Sequence, residues 1–387
     1  MRDTCPNCQH FNIESFYYLD GAPVVSSLLC NTKNEALKVK RKPIELVICL
    51  NCGFIYNKLY DFSVHSNPEG HDDQQGYSLT FNKFITRISK RVIEKYQIRN
   101  KTIIEIGCGK GDFLKLICSL GNNKGIGIDP AIVKSKINQS INIEFLKSYY
   151  SRDHKRIKSD LICCRHTLEH IKRPDDFVKL IKNNTKKQES QLLLFEVPDT
   201  TRILNEIAFW DIYYEHCSYF TKNSISYLFE NNGFRIEDIW LDYNDQYILL
   251  EALTQKEKSN NFSKKRVRDT IKSTRIFKQK LNIVKVEWKR KLSVFENENK
   301  KVVLWGGGSK PVGFLTMFSR FNLFQAIVDI NPNMNGKFVP GYGIEIILPE
   351  RLKDINPDVI IIMNSIYCEE IKSMVKRMKL DPEFLLL

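Results

Sequence analysis

Short apolar segments alternate with amphipathic segments along most of the chain, a pattern typical of parallel strands joined by helices. Between residues 102 and 254 the predicted strands are Thr102–Ile106, Gly125–Ile128, Asp160–Cys164, Leu192–Val197 and Tyr247–Ala252. A second series follows residue 300, with predicted strands Val302–Trp305, Phe324–Asp329 and Val359–Asn364. The pattern therefore predicts two α/β sheets of unequal size. No internal repeat of short period interrupts it.

Two helices stand out by the spacing of their apolar residues. The first contains Phe84, Ile88, Val92, Ile93 and Tyr96. The second lies in the Lys/Arg-rich segment 255–300 and contains Phe277, Leu281, Val284 and Trp288. With the cysteine-containing start of the chain, this organisation predicts a small module over 1–60, a larger domain over 61–254, a basic helical linker over 255–300 and a smaller α/β domain over 301–387.

The chain has 387 residues and a net charge of +14, with 42% hydrophobic residues. Much of the positive charge lies in the linker and not on a platform with interleaved aromatic residues, so we predict no specific nucleic-acid partner. No segment approaches the length of a transmembrane helix, and the start MRDTCPNCQH lacks the apolar region of a secretory signal. We therefore expect a cytoplasmic protein with no transmembrane segment. Its oligomeric state stays open.

Two C-x2-C pairs lie near the start of the chain, Cys5 with Cys8 and Cys49 with Cys52. Two such pairs supply the four thiolates of a tetrahedral Zn2+ site. Because the cysteines fill all four positions, the predicted zinc is structural. The gap between the pairs is longer than the usual ~15–20 residues, so the intervening chain must form a sub-structure of its own. A disulfide pair is the alternative, which a reducing compartment disfavours.

A glycine-rich turn follows the strand Thr102–Ile106 and opens a helix, in the sequence EIGCGKGDFL. Its spacing is G-x-G-x-G, and not the G-x-G-x-x-G of dinucleotide-binding folds. The next strand ends at Asp129-Pro130, where a carboxylate accepts hydrogen bonds from ribose hydroxyls. Glu105, just before the turn, would repel a pyrophosphate but tolerate an amino group. These charges favour S-adenosylmethionine (SAM) over NAD.

We assign the cofactor pocket to the glycine turn, the acid after the second strand and the first residues after the third. The predicted cofactor-binding residues are Glu105, Gly107, Cys108, Gly109, Gly111, Asp129, Pro130, Arg165 and His166. Taken alone, such a turn is also an ordinary strand–turn–helix connection. Together with Asp129 it resembles motifs I and II of class I methyltransferases.

Two later segments carry histidines close to acidic residues, CRHTLEHI ending at Ile171 and DIYYEHCSYF ending at Phe220. The first follows a predicted strand, and the second follows the next predicted strand and a Pro-Asp turn. Open α/β sheets bind ligands at the carboxyl ends of their strands. A histidine beside a glutamate serves as a base near neutral pH, and a tyrosine donates to a developing oxyanion. We expect His170 or His216 to act in catalysis.

The whole set of motifs resembles the three-part sugar-nucleotide C-methyltransferases, which modify dTDP-linked 4-keto-deoxysugars. The resemblance is carried by CPNC, CLNCGFIYN, EIGCGKGDFL, GIGIDP, CRHTLEHI, FEVPD, DIYYEHCSYF, VVLWGGGSKPVGF, VDINPNMNGKFVPGYG and IIIMNSIYCEEI. It implies a class I SAM-methyltransferase Rossmann-like sheet between an N-terminal zinc-binding module and a second, C-terminal Rossmann-like domain. It also implies a nucleotide-sugar acceptor, dTDP-linked or similar.

The resemblance further implies roles for individual residues. Tyr213, Glu215 and His216 match the family's Tyr-x-Glu-His, in which the histidine removes a proton from the carbon next to the ketone. His170 matches a second histidine of the site, and Tyr77 is the candidate for a tyrosine after the zinc module. The chain departs from the family pattern at His166, where asparagine is usual, at Glu169, where a neutral residue is usual, and at Pro311.

Two readings other than C-methylation stay open at this point. The enzyme would be an O-methyltransferase of a sugar or polysaccharide precursor if a base served a hydroxyl and no enolate formed. A zinc-ribbon binding module on a degenerate fold is the non-enzymatic reading. The C-terminal half, with Gly306 to Gly308 and Lys310 after its first strand, either shapes the acceptor pocket or is purely structural.

Overall fold

Three sheets form the framework of the computed structural model, which describes residues 4–64, 75–132, 142–185, 191–255 and 263–387. The α/β class predicted from the sequence is confirmed. Both predicted α/β sheets are present, and an antiparallel sheet precedes them in the chain.

The first sheet contains the chain between the two cysteine pairs. Strands β1 (Ile13–Pro23) and β2 (Arg41–Cys49) form an antiparallel hairpin around the short helix α1 (Lys33–Leu37), and β3 (Ile55–Asn57) pairs with β2. This hairpin is the sub-structure expected from the long gap between the pairs. A two-residue strand from the middle of the chain, Ser218–Tyr219, completes the sheet beside β3. The first module is thus hydrogen-bonded to the segment that follows His216.

The central sheet has seven strands in the order β6-β5-β4-β7-β8-β11-β10, of which β11 runs antiparallel to both neighbours. Its elements and those around it are α2 (Leu79–Tyr96), β4 (Thr102–Ile106), α3 (Asp112–Gly121), β5 (Lys124–Ile128), β6 (Ile143–Leu146), β7 (Leu161–Arg165), α4 (Pro174–Thr185), β8 (Leu192–Pro198), α5 (Thr200–Glu206), β9 (Ser218–Tyr219), α6 (Lys222–Asn231), β10 (Phe234–Asp242) and β11 (Tyr247–Thr254).

The five strands predicted for this region are all present, with ends that differ from the predicted ones by at most two residues. Sequence analysis missed β6 and β10. Both lie at the edges of the sheet, and their residues are mostly half-buried or exposed, so neither shows the continuous apolar run of a central strand. The helix expected from Phe84, Ile88 and Val92 is α2, which buries these residues and begins at the N-cap Ser78.

The third sheet is parallel throughout, in the order β14-β13-β12-β15-β16. Its elements, with the long helix before it, are α7 (Lys264–Asn297), β12 (Val302–Trp305), α8 (Ser309–Phe318), β13 (Phe324–Val328), β14 (Ile346–Ile347), α9 (Leu352–Ile355), β15 (Val359–Ile362), α10 (Cys368–Arg377) and β16 (Glu383–Leu386). The order of its five strands repeats the order of the first five strands of the central sheet, β6-β5-β4-β7-β8.

The long helix predicted in the basic segment is confirmed as α7, and it does more than link two parts of the chain. Phe277, Leu281, Trp288 and Leu292 are buried in one apolar cluster that also contains residues of β1, β2 and α8. Burying each such side chain stabilises a protein by roughly 1.5–3 kcal/mol. The helix therefore holds the first sheet and the third sheet together.

Each α/β sheet has a switch point beside its first strand. The chain first adds strands on one side of that strand and then adds the following strands on the other side. In the central sheet the switch point is the gap between the carboxyl ends of β4 and β7, and in the third sheet it is the gap between β12 and β15. Ligands bind at such points in open α/β sheets. Turns from both switch points line one cavity, so the two sheets direct their binding ends toward the same space.

Candidate active site

A cavity of about 1160 Å3 lies between the central sheet and the third sheet. Its wall includes residues that follow β4, β5, β7 and β8 on one side, and residues that follow β12, β13 and β15 on the other. Pockets for single small molecules usually measure ~300–1,000 Å3. The cavity therefore has room for more than one ligand of ordinary size.

The glycine turn after β4 has a backbone that only glycine adopts easily. Gly107, Gly109 and Gly111 have φ values of +71°, +52° and +77°. A Cβ on Gly107 would lie 2.0 Å from Thr167 Oγ1, whereas a Cβ on Gly109 would meet no atom within 4 Å. Gly109 thus leaves open space in the cavity wall, and a ligand can approach its backbone closely.

Asp129 lies at the end of β5 and faces this turn. One carboxylate oxygen accepts a hydrogen bond from the Gly109 amide at 2.9 Å, and the other accepts from the Ala131 amide at 2.7 Å. Each oxygen keeps a further lone pair for a hydroxyl donor. Pro130 follows it along the cavity wall. Two backbone amides therefore hold this carboxylate in place, and it can still accept hydrogen bonds from a ligand.

Glu105 is buried beneath the turn, with 3% of its surface exposed, and it lines the cavity. Its Oε2 has no hydrogen-bond partner among the described residues. Burial raises the pKa of this carboxyl to about 8, although the nearby Arg165 lowers it. An orphaned, buried carboxyl of this kind suits a cationic group. Cys108 also lines the cavity, and its thiol is buried close to Gly127.

Arg165, the last residue of β7, and His166, which follows it, are paired with the buried carboxylate of Glu196 on β8. The Arg165 guanidinium donates to both oxygens at 2.8 and 3.0 Å, and His166 Nε2 lies 2.7 Å from Oε1. The two cations outweigh burial and lower the pKa of Glu196 to about 2. Burial opposes protonation of His166, but Glu196 and Glu169 raise its pKa to about 9. His166 is therefore a cation in the cavity wall at neutral pH.

The structure brings the two predicted catalytic histidines together. The rings of His170 and His216 meet edge to face, with their centroids 4.8 Å apart. The centroid of the Tyr213 ring lies 4.3 Å from the centroid of the His216 ring. All three residues line the cavity. Burial and the nearby His170 and His166 hold the pKa of His216 well below its usual value, so this imidazole is neutral at pH 7. Burial raises the pKa of Tyr213, which therefore keeps its proton.

Glu215 makes contacts that the sequence did not suggest. Its Oε2 accepts hydrogen bonds from the Ser26 amide, at 2.6 Å, and from the Ser26 hydroxyl. The same hydroxyl lies 2.9 Å from the hydroxyl of Ser309, at the start of α8. The pKa of His216 is lowered by burial and by the imidazoles of His170 and His166. The contacts of Glu215 described here are hydrogen bonds to the Ser26 amide and hydroxyl. Glu215 thus connects the His216 loop to the first module and, through the Ser26 hydroxyl, to the start of α8.

Tyr77 lines the cavity on the side of the third sheet. It is 43% exposed, and its hydroxyl accepts a hydrogen bond from Asn333 Nδ2 at 3.1 Å. The tyrosine expected after the first module is therefore at the cavity and in contact with the C-terminal part of the chain.

The third sheet repeats the hydrogen-bond pattern of the glycine turn. Asp329, at the end of β13, accepts from the Gly307 amide at 2.5 Å through one oxygen and from the Asn331 amide at 2.8 Å through the other. This is the arrangement of Asp129 with Gly109 and Ala131. Gly308 leaves open space as Gly109 does. The cavity therefore has two similar turns, one on each sheet, although on the third sheet Gly307 donates the hydrogen bond and Gly308 leaves the open space.

Lys310 is less available to an anion than its position after this turn suggests. Its ammonium donates to both oxygens of the buried Asp211, at 2.6 and 2.8 Å, and Asp211 also pairs with Arg202. Burial lowers the pKa of Lys310. The lysine, the arginine and the aspartate together form an ion-pair cluster in the cavity wall.

Two family models match the chain after the first module. Residues 75–239 match a model described as a methyltransferase domain, and residues 246–382 match one described as a C-methyltransferase C-terminal domain. The chain carries the domains of a SAM-dependent methyltransferase. The central sheet is the class I Rossmann-like sheet of these enzymes, as predicted.

Curated and solved relatives of these methyltransferase domains are distant. The chain is 26% identical over 143 residues to the C-methyltransferase NovU of Streptomyces niveus, and the match spans 35% of this chain and 33% of that protein. The magnesium protoporphyrin IX methyltransferase of Synechocystis PCC 6803 with bound SAH has a TM-score of 0.35 at 14% identity, covering 46% of this chain and 84% of that one. A 1,6-didemethyltoxoflavin-N1-methyltransferase of Burkholderia thailandensis has a TM-score of 0.35 at 11% identity, over 47% and 83%.

Outside the methyltransferase cavity, the four predicted metal ligands converge. The Sγ atoms of Cys5, Cys8, Cys49 and Cys52 all lie within 4.8 Å of one another, with Cys5–Cys52 at 3.7 Å and Cys8–Cys49 at 3.5 Å. Sulfurs bound to one tetrahedral Zn2+ lie about 3.8 Å apart, since each Zn–S bond is ~2.3 Å. All four thiols are free and not paired as disulfides.

Sequence reasoning missed several residues of the methyltransferase site. Ser26 lies in no motif, and Glu196 lies in the motif FEVPD, to which the sequence assigns no role. Glu169 was noted as a departure from a family pattern, yet its carboxylate lies beside His166, with Nδ1 to Oε1 at 3.5 Å. The departures at positions 166 and 169 are thus neighbours of opposite charge.

Among the described residues, no helix has the length and apolar character needed to cross a membrane.

Proposed function

We propose that this protein is a SAM-dependent C-methyltransferase that acts on a nucleotide-activated 4-keto-deoxysugar, dTDP-linked or similar. The observation that carries the proposal is the pair of His170 and His216 in a cavity bounded by two similar glycine turns. A neutral imidazole beside a protonated tyrosine is suited to removing a carbon-bound proton. The similarity to NovU and the C-methyltransferase C-terminal domain support the same class of reaction.

The residues at the central sheet fit SAM. The open turn at Gly109 admits a ligand close to the backbone, and Asp129 has lone pairs for ribose hydroxyls. The orphaned oxygen of Glu105 suits the ammonium of the methionine portion, which would favour ionisation of this carboxyl. SAM supplies an electrophilic methyl group when bound.

The residues of the two later loops would make the acceptor carbon nucleophilic. His216 takes the proton from the carbon next to the ketone, and the hydroxyl of Tyr213 donates to the enolate oxygen. The cationic His166 adds a favourable field for that negative charge. The two sheets hold the reacting groups in one cavity, and this positioning lowers the barrier further.

The turn of the third sheet would hold the nucleotide of the acceptor. Asp329 repeats the hydrogen bonds of Asp129, and Gly308 repeats the open space of Gly109. A second nucleoside and its phosphates would therefore bind as the adenosine part of SAM does on the other side. Because Lys310 is engaged with Asp211, backbone amides would supply the contacts to phosphate.

The four-cysteine cluster would hold a structural Zn2+, since its sulfur separations fit a tetrahedral ion and all ligand positions are filled. Unpaired thiolates of this kind persist in reducing compartments, and we place the enzyme in the cytoplasm. We further propose that the zinc-binding module spans residues 1–60, the methyltransferase domain 61–254, the helical linker 255–300 and the C-terminal domain 301–387.

The proposal is tested by incubating the protein with SAM and a panel of dTDP-4-keto-deoxysugars. We expect one product whose mass has grown by one methylene. Without SAM, the enzyme should exchange the α-proton of that sugar with solvent deuterium, which an O-methyltransferase has no reason to do. Methylation without exchange would favour the O-methyltransferase. No methylation of any sugar in the panel would contradict the proposal.

A further inference from the structure

Glu169, His170 and His216 form a cluster with the composition of a metal site. One ligand atom from each lies within 4.8 Å of the others. Two imidazoles and one carboxylate are the donor set of many sites for first-row transition metals. The cluster lies in the cavity wall and is separate from the four cysteines.

Glu169 lacks the partners that a buried carboxylate normally has. It is 2% exposed, and neither of its oxygens has a hydrogen-bond partner in the parts of the chain described. The contact to His166, at 3.5 Å, is a long ion pair. Burying an ionised carboxylate without hydrogen bonds is costly, and a metal ion bound directly to it would offset the part of that cost that the long ion pair with His166 leaves.

His170 is oriented as metal-binding histidines usually are. Its Nδ1 lies 3.0 Å from the backbone carbonyl of Glu215, to which it donates a hydrogen bond when that nitrogen is protonated. The lone pair then lies on Nε2. Metal-ligating histidines nearly always donate their other N–H to a carbonyl or carboxylate in this way.

We propose that Glu169, His170 and His216 bind one divalent transition-metal ion, such as Co2+, Ni2+ or Zn2+, and that this ion inhibits the enzyme. Inhibition follows because the metal takes the imidazole lone pair of His216, which is then unable to accept the α-proton. Binding stands on the geometry of the cluster alone, while inhibition rests on the proposed function.

Small side-chain movements would complete the site. Ligand atoms bonded at ~2.0–2.2 Å to one ion lie about 3–3.5 Å apart. Ligand atoms 4.8 Å apart therefore need to close by about 1.3–1.8 Å, which rotations about the side-chain χ angles provide. The open cavity leaves further coordination positions for water.

The first experiment measures binding without turnover. Protein loaded with zinc at the cysteines is titrated with Co2+, desalted and analysed for both metals by mass spectrometry. We expect one cobalt per chain with the zinc retained. Glu169→Gln should weaken cobalt binding at least tenfold. Glu370→Gln, the same change at another acid of the cavity wall, should leave the affinity for cobalt unaltered.

Retention of zinc and an unchanged thermal shift with SAM show that Glu169→Gln is folded. Cobalt that binds only by displacing zinc, or that binds Glu169→Gln as tightly as the unaltered protein, would overturn the proposal.

The second experiment adds Co2+ to the methylation assay, where activity should fall with the same midpoint as binding and recover with a chelator. Stoichiometric cobalt binding with undiminished activity would refute the inhibition and the assignment of His216 as base. An inactive enzyme that still binds cobalt through Glu169 would count against the proposed function alone.

Discussion

The carboxylate of Glu215 accepts a hydrogen bond from the backbone amide of Ser26 at 2.6 Å, although 189 residues separate the two along the chain. The Ser26 hydroxyl, which also donates to Glu215, lies 2.9 Å from Ser309 Oγ. The loop that carries Tyr213 and His216 is thereby joined to both neighbouring sheets. This relationship gives the first module a direct contact with the loop that carries His216.

We expect Ser26→Ala to lower kcat about tenfold with little change in the KM for SAM. The variant keeps the backbone bond but loses the hydroxyl bond to a carboxylate, and such bonds contribute ~1.5–3 kcal/mol. Ser26→Thr, which retains a hydroxyl, should restore most of the activity. Steady-state kinetics of the two variants check this. Equal losses in the alanine and threonine variants would argue that the hydroxyl has no positioning role.

His216→Ala should lower the methylation rate by a factor of 10²–10⁴, the usual contribution of a general base. Exchange of the acceptor's α-proton should fall in parallel, while SAM still raises the melting temperature. His10→Ala is the control, since that side chain is exposed and lies outside the cavity wall. Full proton exchange in the His216 variant would transfer the base role to another group.

The two aspartates that follow equivalent strands should have separate ligands. Asp129→Asn should weaken binding of S-adenosylhomocysteine about tenfold, or ~1.4 kcal/mol, and leave dTDP binding unchanged. Asp329→Asn should do the reverse, because its carboxylate holds the corresponding position on the third sheet. Isothermal titration calorimetry with both ligands tests the pair. If each variant weakened the same ligand, the assignment of two nucleoside sites would fail.

His166 should make the stability of the fold depend on pH. Its pKa rises from 6.5 to about 9 through its contacts with Glu196 and Glu169. A raised folded-state pKa stabilises the protein fully below pH 6.5, and that stabilisation is lost as pH rises through 9. The loss amounts to about 3 kcal/mol if no other group compensates. Urea unfolding between pH 6 and 9.5 should show this decline, and His166→Gln should flatten it. A curve of unchanged slope in the variant would place the titration elsewhere.

Removal of the proposed Zn2+ from the cysteine cluster should destabilise the central sheet as well as the first module. Cys5, Cys49 and Cys52 are buried in the same apolar cluster as Phe54 and residues of β7, β8 and α6. Cys49→Ser should therefore abolish zinc retention and lower the melting temperature by several degrees. Cys368→Ser, at a buried cysteine outside that cluster, should keep its zinc. Melting curves and metal analysis of the two variants test this prediction. An unchanged melting temperature in Cys49→Ser would show that the first module does not stabilise the central sheet.

Much of the fold was predictable because local patterns carry it. The five central strands, the helix with Phe84 and Ile88, and the helix with Phe277 and Trp288 follow from the spacing of apolar residues. The edge strands β6 and β10 were not predictable in this way, because half-buried strands show no continuous apolar run. Of the site, the glycine turn, Asp129 and His170 were predicted, since each follows closely after a strand that the pattern identifies. His216 was predicted from the motif DIYYEHCSYF, which lies beyond α5.

The amino-acid sequence by itself determined which residues lie at the ends of strands, since strand and turn preferences act over a few neighbouring residues. It thereby placed Glu105, Asp129, His170 and the four cysteines in their local settings. Only the tertiary structure decided which of these ends meet. Ser26 reaches Glu215, and Arg165 and His166 share Glu196, because sheet order and packing bring together residues far apart in the chain. Contacts of that kind depend on the whole fold, and no local pattern encodes them.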